Sequence, residues 1–194
     1  MFDKALELRY GSFKKEKDYF YNGVLLYYSN SSYLNILFNK SEYKNNISRL
    51  KENGIVVSES IEKFYKQYNG ISLFSQSFVI YGCASSIEKG YTPLDMNRMN
   101  TLLKLKNRSW DNSYYAIGEY SNFAFCLKRN DKAGSIFVVE KRSFRQIRTF
   151  TNLDDFFIYC IEELSKLYDK DGYKKNRPSS STSWLDNMSF ENIF

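Results

Sequence analysis

Residues Ile61 to Gly82 read IEKFYKQYNGISLFSQSFVIYG, and this stretch decides the fold. Ile61, Phe64, Tyr65 and Tyr68 recur at the spacings that line one face of a short helix. Asn69-Gly70 follows as a left-handed stop for that helix. Phe74, Phe78 and Ile80 then fall at even spacing, which predicts a strand with one buried face. A helix, a stop and a strand in immediate succession form a single packing unit.

The signals continue on both sides. Upstream, Ser41 as N-cap, an apolar stripe at Tyr43, Ile47 and Leu50, and Gly54 as terminator predict a preceding helix; Ser58 is placed to cap the next one. Downstream, Thr92-Pro93-Leu94-Asp95 reads as a helix start with Thr92 as the cap. The helix it opens buries Met96, Met99, Leu102 and Leu103 and fades near Lys106. Strands are predicted at Tyr114–Glu119, Phe123–Lys128 and Ile136–Glu140, the last two as a hairpin. Thr151, with Asp154 three residues on, opens a final helix. Phe156, Phe157, Cys160, Ile161, Leu164 and Leu167 give it the wide apolar face of a helix docked on a sheet. The first forty residues read less clearly. They suggest one or two helical turns over Phe2–Tyr10 and one or two strands over Tyr19–Ser29, with a turn at Asn22-Gly23.

A chain of 194 residues with 18% aromatics can bury a substantial core, and nine Gly and two Pro argue against extensive disorder. The start, MFDKALELRYG, lacks the apolar run of a secretory signal, and no stretch approaches the ~20 apolar residues of a membrane span. Cys83, Cys126 and Cys160 are odd in number and form no CxxC pair, so a cytoplasmic protein without a disulfide framework is expected, with Cys126 and Cys160 in the core.

Histidine is absent, which removes Ser-His-Asp and Cys-His catalysis and His-ligated metals. No carboxylate, Lys or Tyr pairing stands out instead, and phosphate-cradling glycine motifs are missing. Asp169-Lys170-Asp171-Gly172 fails as a calcium loop because its Gly is fourth, and Ser180 stands where the bidentate Glu belongs. No catalytic residue, metal or cofactor is therefore expected. From Arg98 to Arg148, eleven Lys and Arg stand against Asp111, Glu119, Asp131 and Glu140. Two explanations stay open: a surface for an acidic partner or nucleic acid, or a sheet edge guarded by charge.

The ordered parts are a leading helix, the FYKQYNG helix end, the LF…F.IYG strand, a middle helix, Trp110 before YYAIGEY, a hairpin, and a last helix entered through TFTNLDDFF. Together they resemble the SUKH superfamily, the Smi/Knr-type domains, over Ser41 to Leu167. The resemblance implies an α+β domain, a mostly antiparallel sheet with packed helices. On this basis residues 1–40 are an N-terminal elaboration, 41–167 the SUKH-like domain and 168–194 a polar tail. It also implies a non-enzymatic protein of the bacterial immunity branch that neutralises a cognate protein toxin, a nuclease being one candidate. A regulatory or scaffold module is the alternative, and nucleic acid, membrane and small molecules are disfavoured as partners. The contact surface is expected around Trp110, Asp111, Tyr115, Glu119, Tyr120 and Asn122, where aromatics and both signs of charge adjoin strand ends. Trp184 is placed to dock the tail either on the domain or on a partner.

Overall fold

Pairing of neighbouring strands in chain order builds the molecule. A computed structural model describes residues 13–18, 23–28, 34–38, 43–73, 77–83, 94–106, 108–169 and 175. Its strands are β1 (Phe13–Asp18), β2 (Gly23–Tyr28), β3 (Leu34–Phe38), β4 (Ile71–Leu73), β5 (Phe78–Ile80), β6 (Tyr114–Tyr120), β7 (Phe123–Lys128), β8 (Ile136–Glu140) and β9 (Gln146–Phe150). Among the described residues they form one nine-stranded sheet ordered β1 to β9, every neighbour antiparallel. Helices α1 (Tyr43–Glu52) and α2 (Glu59–Gln67) intervene between β3 and β4. Helix α3 (Met96–Lys106) lies between β5 and β6, and α4 (Leu153–Leu167) follows β9. The fold is α+β, as the sequence predicts.

Three strands from the first forty residues belong to this same sheet, with Leu34 opposite Leu73. The segment thus extends the sheet of the following domain. Phe2–Tyr10, Asn22 and Trp184 lie outside the described residues.

Strand parity explains the core. Phe78, Ile80, Phe125 and Val138 share one face, onto which α4 lowers Phe156: its ring lies 4.7 Å from Phe125, 5.4 Å from Phe150 and 6.4 Å from Phe78. Phe157 reaches sideways to Phe64 of α2, 5.2 Å away, so the two helices close over that face together. The opposite parity, Val79, Ala124, Cys126 and Val139, is buried too. Trp110, just before β6, is buried as well and meets Phe144 edge-on at 5.8 Å. Covering both faces is why β7 is buried from Phe123 to Leu127.

Several expectations are corrected. The single strand read through Phe74, Phe78 and Ile80 is a hairpin, β4 against β5 with Ile71 opposite Ile80; Phe74 lies outside the described residues. Helix α2 ends at the extended Tyr68, so Asn69-Gly70 is not its stop but the turn into β4. The middle helix starts at Met96 with Asp95 as its cap: the carboxylate accepts the Arg98 N–H at 2.9 Å, while Thr92 and Pro93 lie outside the described residues. The last helix is capped by Asn152, whose side chain accepts the Asp155 N–H at 2.9 Å; the shift from Thr151 sets buried Leu153 at the first helical position. Strand β9 was not foreseen. Its Gln146, Arg148 and Thr149 are exposed, so it carries little apolar pattern and takes its conformation from pairing with β8.

Candidate functional site

Two polar regions stand out, at opposite extremes of burial. The first is the junction where α1, the end of α2, the start of α3 and β6 meet. Asn69 is 2% exposed, and its Nδ2 donates to the Cys83 carbonyl at 2.9 Å while its Oδ1 accepts the Cys83 N–H at 2.8 Å. One amide thus pairs with a backbone as a neighbouring strand would. Asn46 of α1 donates to the same Oδ1 at 2.9 Å. The fit demands glycine on both sides. Gly70 sits at φ +92°, and a Cβ on Gly82 would come within 2.4 Å of the Asn69 carbonyl.

Asn100 repeats the device one element on. Its Nδ2 donates to the Ala116 carbonyl at 2.8 Å and its Oδ1 accepts the Ala116 N–H at 2.9 Å, where β6 runs beyond short β5. Arg49 pairs with Asp95 at the mouth of this junction, tying α1 to the cap of α3. Partial burial opposes the Arg49 charge, but the hydrogen bond to Asp95 and the charge around it prevail, holding the guanidinium above its ordinary value. Tyr115 is buried and donates to Asn97 Oδ1 at 2.6 Å; burial pushes its hydroxyl well up. Tyr65 donates to the Tyr81 carbonyl at 3.1 Å, and full burial raises it as well.

The second region is the outer end of the sheet, at β8, β9 and their turn. Lys141 donates to Glu119 at 3.0 Å, and the Lys141 N–H reaches the Asn122 carbonyl at 2.8 Å. Burial, then the neighbouring Glu119 carboxylate, raises Tyr81. Beyond this pair Arg142, Arg145 and Arg148 are exposed.

The six residues expected to touch a partner do not form one patch. Trp110, Tyr115 and Tyr120 are buried, so their rings serve the core. Of the Tyr114–Tyr115 pair it is Tyr114 that turns outward, donating to Gln146 at 2.9 Å with its ring 5.7 Å from Phe137. Asp111 is exposed but accepts the Ser113 N–H and hydroxyl, and these bonds lower its carboxyl. Glu119 and Asn122 stand half-buried at the far end of β6, about 20 Å from Asp111 at the usual rise of a strand. A surface drawing on these six has Asp111 at one end and Glu119 with Asn122 at the other.

Asn46 and Asn100 escaped the sequence reading, although a signal existed. Asn46 lies three residues after Tyr43 and four before Leu50, and Asn100 lies four after Met96, so each interrupts an apolar stripe. A polar residue on a buried face must find a partner: Asn100 uses both ends of its amide, and Asn46 its Nδ2, while the Asn46 Oδ1 is buried without one. Among the described residues no group of three or more His, Cys, Asp or Glu is placed to hold a metal, and no helix is long and apolar enough to cross a membrane.

No family model matches the chain, and no curated protein shows significant sequence similarity to it.

Proposed function

We propose that this chain is an immunity-type protein of the cytoplasm that binds a cognate protein toxin and blocks it by covering its active or substrate-binding surface, without covalent chemistry. The observation that carries the reading is how the polar side chains are divided. Asn46, Asn69, Asn100, Arg49 and Asp95 are committed to holding backbone or one another, and Tyr115 to Asn97. Other polar groups stay exposed, among them Arg142, Arg145 and Arg148 at the β8–β9 end of the sheet, where a macromolecule can reach them. The ordered likeness to the SUKH pattern from Ser41 to Leu167 supports the same reading, and the antiparallel α+β architecture agrees with it.

The test is to co-express the chain with toxins encoded beside its gene. Rescue of growth together with co-purification is the expected result. If no such toxin is neutralised and none co-purifies, the immunity reading falls, and a regulatory binding module takes its place.

A further inference from the structure

We propose that the outer edge of β9 is the docking edge of this domain and takes an acidic, extended polypeptide segment by strand addition. This rests on the protein-binding reading above and names the surface and the chemistry of what it binds.

Strand β9 closes the sheet order, and no described strand lies beyond it. Alternation of the ladder tells which of its groups point outward. The Lys141 N–H goes to Asn122, beside β7, and the Glu140 N–H goes to the Arg145 carbonyl, beside β9. Val138 and Ile136 share the parity of Glu140, so their partners Arg148 and Phe150 turn their backbone groups inward. Thr149, between them, turns its N–H and C=O outward, and its side chain is exposed.

The charge along this segment is of one sign. Lys141 to Thr151, KRSFRQIRTFT, holds no Asp or Glu. Lys141 is paired with Glu119, whereas Arg142, Arg145 and Arg148 make no ion pair with a described carboxylate. Arg148 is also held in place: its guanidinium lies 3.9 Å from the Tyr159 ring centre and 5.1 Å from that of Phe150. A cation already ordered on two rings loses little freedom when it meets a carboxylate.

These facts select the occupant. A second copy paired through β9 would bring a strand with the same arginines and no carboxylate against the first, and like charges across a ladder repel. A nucleic acid could answer the arginines, but its phosphates only accept, leaving outward carbonyls without a donor. An acidic extended peptide meets both needs, supplying donors and acceptors at the strand spacing and carboxylates for the guanidinium groups.

The probe is an alternating Glu-Val peptide about twelve residues long, compared with its Lys-Val counterpart and a short DNA duplex. The full chain is monitored by backbone amide exchange. The Glu-Val peptide is expected to protect the Thr149 amide. The Arg142→Glu, Arg145→Glu, Arg148→Glu triple variant should weaken binding about ten-fold or more, as three exposed charge contacts imply. The conservative Arg-to-Lys triple variant, which keeps the charge, should retain most of it. Protection by the DNA alone, protection of amides elsewhere, or equal binding of both peptides overturns the proposal. Failure of the functional reading looks different. A peptide that binds at β9 while no toxin is neutralised sinks the immunity function and leaves this edge standing. A toxin neutralised equally well by the triple Arg-to-Glu variant sinks the edge alone.

Discussion

The junction at Asn69 and the edge at β9 use the same kinds of side chain to opposite ends. At the junction amides and an ion pair are drawn inside, where Asn69 and Asn100 each hold both backbone groups of a single residue. At β9 and the turn before it three exposed arginines make no ion pair with a described carboxylate. A buried polar group is costly unless it is satisfied, so the junction specifies structure. Exposed charge adds little to stability, so the edge is open to another use. Stability and binding should therefore separate cleanly between the two regions.

The largest test is apolar and sets the scale. Phe157→Ala removes the ring that joins α4 to Phe64 and should lower unfolding free energy by about 3–5 kcal/mol in urea titrations. A change near zero would undo the packing of α4 on α2. Asn69→Ala comes next. It leaves the Cys83 N–H and C=O without their amide partner, so about 3 kcal/mol should be lost. If that variant is as stable as the parent, the junction is not a structural node and the contrast with β9 collapses.

Alkaline pH probes the buried groups without a mutation. Burial raises Tyr65, Tyr81, Tyr115, Cys126 and Cys160 in the folded chain. A group whose folded value is raised contributes stability that is complete below its unfolded value and is lost as pH climbs toward the folded one. The unfolded chain gives up these protons first, the thiols near pH ~8.5 and the phenols near ~10, so stability should fall above about pH 9. Each group adds up to about 1.4 kcal/mol per pH unit to the slope. With histidine absent, little change is expected between about pH 6 and 8. A rise in melting temperature from about pH 9 to 10 would contradict the assignment.

Smaller effects sharpen the difference. Arg49→Ala removes a partly buried partner from Asp95 and should cost about 1 kcal/mol. Arg145→Ala with Arg148→Ala should shift stability by no more than about 1 kcal/mol, most of it from the lost stacking on Tyr159. A larger loss in thermal melts would mean that these arginines hold the fold, and the edge would no longer be available for a partner.

Sequence periodicity located the elements that carry strong apolar patterns. Strands β7 and β8 fall where alternation places them, and Ile61, Phe64, Phe78, Phe157 and Ile161 are buried as expected. Helix starts were found to within a few residues, because more than one nearby side chain can cap and only packing chooses among them. The expected contact residues show the limit most clearly. Trp110, Tyr115 and Tyr120 look like exposed anchors in the sequence, yet all three are buried, Tyr120 opposite Phe78 and Tyr115 opposite Leu127, on the face that carries Phe125. Local pattern cannot tell whether a face will be covered from far along the chain.

By itself, then, the sequence determined an α+β chain rich in aromatic core, without histidine chemistry, and the approximate places of most of its helices and strands. Those follow from local spacing and composition, which act over a few residues. Only the tertiary structure decided that Phe13–Asp18, Gly23–Tyr28 and Leu34–Phe38 extend one sheet, that Asn69 and Asn100 stand in for missing strand partners, and that β9 exists at all. Each depends on hydrogen bonds between residues distant in sequence, as between Asn69 and Cys83 or across β8 and β9. Such bonds form only once the core has brought their groups together and excluded water from around them.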